Sequence, residues 1–444
     1  MHWRRFLAAL ILFPIIVNIC LFPNLKHHNR IEAYNIPSRD FQLELTDIKA
    51  KNKIDNKTDN KIDNKIDNKI DNDTNRKATC TPKTDLFFLK IHRAGSGTFH
   101  NVLVRYALYH GLFQALAMCP WYDCFPKSLH QVTLFPRPWR KDFKHYNMYI
   151  DHVRFNKTSS DAILPTGALY LTQIREPLSH SKAFYKKVCV DGFLPYRELL
   201  YQRPDGYVCG QNSMAYAFGY DKPSENNLTD FKAYLAILDQ QFLHVSLLER
   251  LSESYVLLKR KMCWELQDLL YLRIHTTGSG HDRSTAIIKS EHRTNNSLDY
   301  ALYNFFSERH EREVTAEGPD FSAEVKEYEE LQKQFQEFCS RLCDHFYISP
   351  DNRTITYTLN ITKEFPGKTF YRSFNVSLKD CIMLFEEEKV IKKWLIIRSY
   401  PYIWVRKKSL ARQFELWRNA TEHVLPDTLA MKIAKKCRDK DYLN

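Results

Sequence analysis

Lys90, His92 and Arg93 place three ionisable side chains within four residues, and Ala94-Gly95-Ser96-Gly97-Thr98 follows at once with small side chains and two hydroxyls. Such a set suits a phosphate or sulfate ester, whose charge is spread over several oxygens that cations, hydroxyls and bare backbone amides can meet together. The neighbouring elements decide whether the set is used that way. Leu86-Phe87-Phe88-Leu89 is a short apolar run that reads as a buried strand. Phe99 to Tyr109 carries Val102, Leu103, Tyr106 and Ala107 at helical spacing. A strand, a small-residue turn and a helix in this order aim the first amides of the helix, and the positive end of its dipole, at an anion. The turn is not a Walker loop, in which the Lys follows the last Gly, because here the cations precede Gly95. It is also one Gly short of the dinucleotide-binding fingerprint. An ordinary strand-to-helix connection capped by Gly and Ser fits the same residues.

Further strands are expected at 148–152, 168–174 and 244–248, and helices at 231–239, 253–261 and 323–341. Short apolar strands alternating with helices predict an α/β fold with a central parallel sheet flanked by helices. In the last of these helices Val325, Tyr328, Leu331, Phe335 and Phe338 share one face, and core packing is the expectation for them. Arg175 follows a predicted strand, the end of an open α/β sheet where ligands bind. It can hold an anion there or close a salt bridge. Beyond Tyr347 the Thr-rich alternation and Pro366-Gly367 suggest short strands and turns, and residues 381–444 are basic and mixed.

The chain has 444 residues, 44% of them apolar, enough to build a sizeable core in one large or two modest domains. Its net charge of +13 suits a multiply charged nucleotide or acidic glycans. No zinc-finger spacing, RNA-recognition signature or long basic helix supports nucleic acid. No C-x-x-C pair is present, and no metal is expected. After Met1-His2-Trp3-Arg4-Arg5 an uncharged run extends from Phe6 to Leu25, long enough to span a bilayer. Arg4 and Arg5 favour a cytoplasmic N-terminus. A cleaved signal peptide is the alternative, although no A-x-A site follows the run. Residues 51–75 repeat Lys-Ile-Asp-Asn with one variant at Thr58, and so little apolar surface cannot offset the entropy of ordering. The expected organisation is a cytoplasmic tail (1–5), a signal-anchor helix (6–25), a flexible low-complexity stem (26–79) and a lumenal domain (80–444).

Nine N-x-[S/T] sequons, at Asn56, Asn72, Asn156, Asn227, Asn295, Asn352, Asn360, Asn375 and Asn419, agree with a lumenal domain. So do eleven Cys, an even number once Cys20 is assigned to the membrane run. Cys119 with Cys124 and Cys339 with Cys343 are close in sequence, but spacing does not give their pairing.

Several segments, taken in order, resemble the galactose 3-O-sulfotransferase (galactosylceramide sulfotransferase) family. Leu89 to Thr98 is similar to its loop L-K-T-H-K-T-G-S-S-T, and Asp151-His152-Val153-Arg154-Phe155 to its H-H-M-R-F. Leu171 to Pro177 resembles the strand and turn that open its 3′-phosphate site, and Phe218-Gly219-Tyr220-Asp221 its L-G-Y-D. Ser254 to Lys259, Cys263-Trp264-Glu265-Leu266 and Asn296-Ser297-Leu298-Asp299 resemble E-S-L-V-L-L-K, C-W-E-L and N-x-L-D. The resemblance covers residues 84–343. It implies a P-loop-like sulfotransferase fold on a single-pass, type II Golgi membrane anchor. The activity it implies is transfer of sulfate from 3′-phosphoadenosine-5′-phosphosulfate (PAPS) to the 3-hydroxyl of galactose on a glycolipid or glycoprotein glycan.

On that reading Lys90, Arg93, Ala94, Gly95, Ser96, Gly97 and Thr98 surround the 5′-phosphosulfate, and Arg175 with Ser181 takes the 3′-phosphate. His152 is the expected base toward the acceptor hydroxyl, with His92 in reserve, and Lys90 and Arg93 are the catalytic cations. Three residues depart from the family pattern. Arg93 stands where the family has a second Lys, and a guanidinium cannot give up a proton. Ala183 stands where a Ser is expected eight residues after Arg175, and Asp151 replaces the first His of the pair. Asp151 either orients an imidazole or is exposed. A lumenal kinase or nucleotidase is a competing enzyme reading, which the missing acidic metal-binding motifs near the loop disfavour. A catalytically weakened or silent glycan-binding relative is the competing reading from another class.

Overall fold

The computed structural model describes residues 80–118, 123–135, 137–138, 141, 143–185, 210–273, 286–349, 355–385, 433–434 and 437. The expected anchor and stem, the sequons Asn56, Asn72, Asn352 and Asn419, Cys119 and most of 381–444 lie outside them. Among the described residues no helix is long and apolar enough to cross a membrane.

Four parallel strands form the central sheet: β1 (Leu86–Leu89), β3 (Met148–Tyr149), β5 (Leu169–Ile174) and β6 (Phe242–Leu247), in the order β3-β1-β5-β6. A second parallel pair joins β2 (Asp123–Ser128) to β4 (His152–Arg154). The chain leaves β1 for one side of the sheet at β3 and returns to the other side at β5, so the order reverses between β1 and β5. In open α/β sheets this reversal opens the crevice that takes ligands. Leu86 pairs with Leu169 and Leu89 with Thr172, which brings the loops after the two strands side by side.

β1 reads as an unbroken apolar run because both of its faces are covered. Phe88 meets Phe99 of α1 (Ser96–Tyr109) edge-on at 4.7 Å. Phe87 points to the opposite face and packs against Tyr149, Phe155 and Tyr170. On the way to β5 the chain forms α2 (Lys157–Asp161), and α3 (Pro177–Phe184) follows β5. Then come α4 (Ser213–Ala217), α5 (Leu228–Gln241), α6 (Leu251–Met262), α7 (Ala286–Asn295), α8 (Ser297–Ala316) and α9 (Asp320–Ser340). Val325, Tyr328, Leu331, Phe335 and Phe338 of α9 are all buried, as core packing requires. β7 (Phe346–Ile348), β8 (Ile355–Tyr357), β9 (Thr362–Phe365) and β10 (Phe374–Ser377) form two antiparallel hairpins, followed by α10 (Leu378–Phe385). Cys339 bonds Cys381 and Cys343 bonds Cys437, so two cysteines one helical turn apart are tied to different segments rather than to each other.

The strand expected at 148–152 is two strands. Ile150 and Asp151 are fully buried between them, and the chain passes there from the central sheet to the pair with β2. His152 therefore opens β4 rather than closing a longer strand.

Two resembling segments meet at a clamp. Arg154 donates from Nη2 to the Gly219 carbonyl at 2.7 Å and to Asp221 at 2.6 Å, with its guanidinium over the Tyr216 ring. Gly219 lies at φ +95°, and a Cβ there would come within 2.5 Å of the Phe155 carbonyl. Two helix starts cap one another. Asn212 accepts from the amides of Leu298 and Asp299 at 3.1 and 3.2 Å, and the Asp299 carboxylate accepts from the amides of Met214 and Ala215. Asn212→Ala strips both caps from the start of α8 and leaves buried amides unpaired. The expected loss is about 3 kcal/mol of unfolding free energy by denaturant titration. A loss below about 0.5 kcal/mol would show that the reciprocal cap is not holding the two helices.

Candidate active site

The loop after β1 turns at Arg93 (φ 62°) and Gly95 (φ 74°), both left-handed. A Cβ on Gly95 would meet Gln173 Nε2 at 2.5 Å and Leu248 Cδ1 at 2.6 Å, so φ and space both demand glycine. At Gly97, two residues on, a Cβ would meet nothing within 4 Å. The amides of Ser96 and Gly97, in the first turn of α1, have no acceptor inside the helix.

Every carbonyl from Leu89 to Ala94 accepts a hydrogen bond from a side chain. Thr172 Oγ1 donates to Leu89 O at 2.8 Å, and His152 Nδ1 donates to Lys90 O at 2.7 Å. Ser96 Oγ donates to Ile91 O, and His180 Nε2 to His92 O at 2.8 Å. Arg175 Nη1 donates to Arg93 O at 3.3 Å and Gln173 Nε2 to Ala94 O at 2.7 Å. In a trans peptide the N–H points opposite to the C=O. Tying these six carbonyls to the surrounding side chains therefore turns the amides of the same peptides, those of Lys90 to Gly95, away from those side chains, and fixes the loop that leads into the free amides at the start of α1.

The structure brings Arg93 and Arg175 together at this loop. Arg93 is half-buried, and its guanidinium is held below its ordinary pKa by burial and then by the charge of Arg175. Arg93 Nε is enclosed without a hydrogen-bond partner. Neither Arg is paired with a carboxylate among the described residues, so Arg175 does not close the salt bridge that was its alternative. Two neighbouring guanidiniums without a counter-ion make a site that favours an anion. Lys90 ends the β1 side of the loop and is buried, as are Ala94 and Ser96. Thr98 is half-buried, with its amide bonded to Gly95 O at 3.1 Å.

His152 reaches the same place from β4. A carbonyl can only accept, so Nδ1 carries the proton and the lone pair lies on Nε2, the tautomer a base needs. The His92 ring stacks on it at 3.7 Å with the planes 9° apart. Asp151 is not exposed. It is fully buried with Oδ1 3.7 Å from His100 Nε2, so the imidazole it faces is that of His100.

Ser181 lies in α3, the helix that follows Arg175. Its Oγ is enclosed and makes no hydrogen bond among the described residues. The side chain of α3 that reaches the loop is His180, one residue earlier, and neighbouring helix positions point about 100° apart. Sequence reasoning missed His180, Thr172 and Gln173. The readable signal was Thr172-Gln173 inside an apolar central strand, since buried polar side chains need partners. A cavity of about 460 Å³ opens directly after Arg175 in the chain, lined by Glu176, Leu178, Lys289, Ser290, Arg293 and Tyr300. Among the described residues no group of three or more His, Cys, Asp or Glu is arranged for a metal ion.

A parallel sheet with a cationic, amide-presenting loop at its switch point defines an α/β protein built to hold an anionic group. The chain belongs to the galactose-3-O-sulfotransferase family, whose model matches residues 54–346. It is 29% identical over 277 residues to bovine galactose-3-O-sulfotransferase 3, covering 57% of this chain and 63% of that protein. It is 26% identical over 285 residues to mouse galactose-3-O-sulfotransferase 2 (58% and 70%). It is 27% identical over 292 residues to human galactosylceramide sulfotransferase (59% and 65%). The match thus spans less than two thirds of the first of these relatives.

Two buried groups tie stability to pH with opposite signs. Burial lowers His180 to about 3, so between that value and its ordinary 6.5 only the unfolded chain binds the proton, and stability falls on acidification. Burial raises Asp299 from 3.8 to about 7, so between those values only the folded chain binds the proton, and stability rises on acidification. The two slopes oppose each other between about pH 4 and 6.5. Relative to the natural chain, Asp299→Asn should lose up to about 1.4 kcal/mol more per pH unit on acidification through this window. His180→Gln should lose about that much less. Parallel pH–stability curves for all three, from denaturant unfolding, would contradict both assignments.

Proposed function

We propose that this protein is a sulfotransferase that moves sulfate from PAPS to a galactose 3-hydroxyl on a glycolipid or glycoprotein glycan. The observation that carries the reading is the loop itself: six carbonyls tied back, two guanidiniums without a carboxylate partner among the described residues and a His with its proton on Nδ1 at one edge. These residues suit an anionic ester, because the enclosed Arg93 Nε has no partner among the described residues and a Cβ on Gly97 would meet nothing within 4 Å. The donor would supply the sulfuryl group and an anionic leaving group. Arg93, Arg175 and the amides of Ser96 and Gly97 would hold its oxygens, a role that rests on positioning and fixed charge. Lys90 would add a cation at the β1 end of the loop. His152 Nε2 would take the proton of the acceptor hydroxyl. Arg93 keeps its proton throughout, so it stabilises the departing oxygen by hydrogen bonding and charge alone.

The reading includes a type II Golgi membrane protein anchored by residues 6–25 with its catalytic domain in the lumen. The charge pattern of the N-terminus, the sequons and the disulfides Cys339–Cys381 and Cys343–Cys437 support it. Ala183, where the family pattern has Ser, favours a second reading, in which the 3′-phosphate is held weakly and the chain is a glycan-binding relative with little or no activity.

Transfer from radiolabelled donor to galactose-terminated glycolipids and oligosaccharides separates the two. The proposal predicts labelled product that falls about 100-fold or more in His152→Ala, the size of a lost general base. Arg93→Lys should keep measurable transfer, since a cation remains. No transfer by the natural chain, with glycan binding intact, would establish the second reading.

A further inference from the structure

We propose that His180 is a positioning residue for this site, tying the helix after Arg175 to the loop that carries Arg93 and, through the His92 ring, setting the place of His152. The inference rests on the sulfotransferase reading for the ligand and the activity that its test reads, and on the hydrogen bonds of His180 for its geometry.

His180 is fully buried in α3, and both of its ring nitrogens are engaged. Nε2–H donates to His92 O at 2.8 Å, and Nδ1 accepts from the Ser213 hydroxyl at 3.4 Å. An apolar residue would fill the same volume, but it would take this N–H donor away from the His92 carbonyl. The anchor behind the ring is stiff. Ser213 opens α4, whose next two amides are held by Asp299, and Asn212 just before it caps the start of α8. The point of attachment is equally specific. His92 immediately precedes the left-handed Arg93, and its ring is the one stacked on His152. A displacement of the His92 peptide would therefore move the catalytic cation on one side and the base on the other. Phe184, one turn along α3, lies against both imidazoles, at 5.7 Å from His180 and 6.2 Å from His92.

The test uses the full chain and three substitutions. His180→Phe fills the space without a donor, His180→Gln restores an N–H, and Ser213→Ala releases the far side of the ring. Two quantities are read for each: kcat with KM for sulfate transfer, and the Kd of adenosine 3′,5′-bisphosphate by calorimetry. His180→Phe should lower kcat about 100-fold, the size of an ångström-scale misplacement, and weaken the bisphosphate about tenfold, with the acceptor KM little changed. His180→Gln should recover at least about tenfold of the lost kcat, which a packing role would not predict. Unchanged kcat and Kd in His180→Phe, or equal losses in Phe and Gln, would overturn the proposal. If His180→Phe does not fold, Ser213→Ala decides, with a kcat lowered about threefold or more in support and an unchanged one against. Should the natural chain transfer no sulfate, a bisphosphate Kd weakened in His180→Phe and restored in His180→Gln would sustain the positioning role while the transfer reading falls.

Discussion

A trans peptide cannot turn its carbonyl and its N–H to the same side, and a loop offering its amides to an anion must satisfy its carbonyls elsewhere. Six side chains, from β4, β5, the turn after β5, α3 and the first residue of α1, do this between Leu89 and Ala94. Unpaired carbonyls at this depth would each cost about 1–3 kcal/mol, enough to rearrange the loop. The remaining features of the fold follow from keeping those six donors in place. Thr172 and Gln173 lie on β5 because β5 is the strand beside β1. Gly95 is glycine because Gln173 and Leu248 occupy the space a Cβ would need.

The site residues otherwise come from distant parts of the chain, and each is fixed by its own local device. β4 carries His152, and the grip of Arg154 on Gly219 and Asp221 holds β4 to the segment after α4. α3 carries His180, whose far nitrogen ends on Ser213 at the start of α4, and α4 is held by the reciprocal caps with α8. Segments that look like separate motifs along the sequence thus form one connected support. This also bears on Arg93. With its carbonyl taken by Arg175 and its guanidinium unneutralised, the residue is placed as a fixed charge, and a fixed charge is what an Arg in place of a Lys can still supply.

The parts of the fold written in apolar pattern were legible. β1 was read to the residue, and β5, β6, α5, α6 and α9 were found with ends shifted by a few positions, because long buried runs and helical faces leave periodic traces. β2 was not, since Asp123-Cys124-Phe125-Pro126-Lys127-Ser128 holds a Pro and no apolar alternation, nor was the break between β3 and β4, strands of two and three residues that carry no period. The site was legible in its charges and its glycines but not in its hydrogen bonds. Arg93, Arg175 and His152 stand together as their types and positions suggested. His180 looked like one more helix residue, because sequence does not give the rotation of a helix to within one residue. Asn296-Ser297-Leu298-Asp299 was recognisable as a pattern, yet its work as a cap appears only when α4 is set beside α8.

The central claim is that the loop, held through its six carbonyls, sets the start of α1 so that its first amides meet the anionic end of the donor. The most direct measurement is a crystal structure of the chain with adenosine 3′,5′-bisphosphate. The account predicts the 5′-phosphate at about 2.7–3.2 Å from the amides of Ser96 and Gly97 and within reach of Arg93, with the bonds to the six carbonyls intact. A 5′-phosphate bound away from this loop, or a loop whose carbonyls had swung inward to meet the ligand, would contradict it.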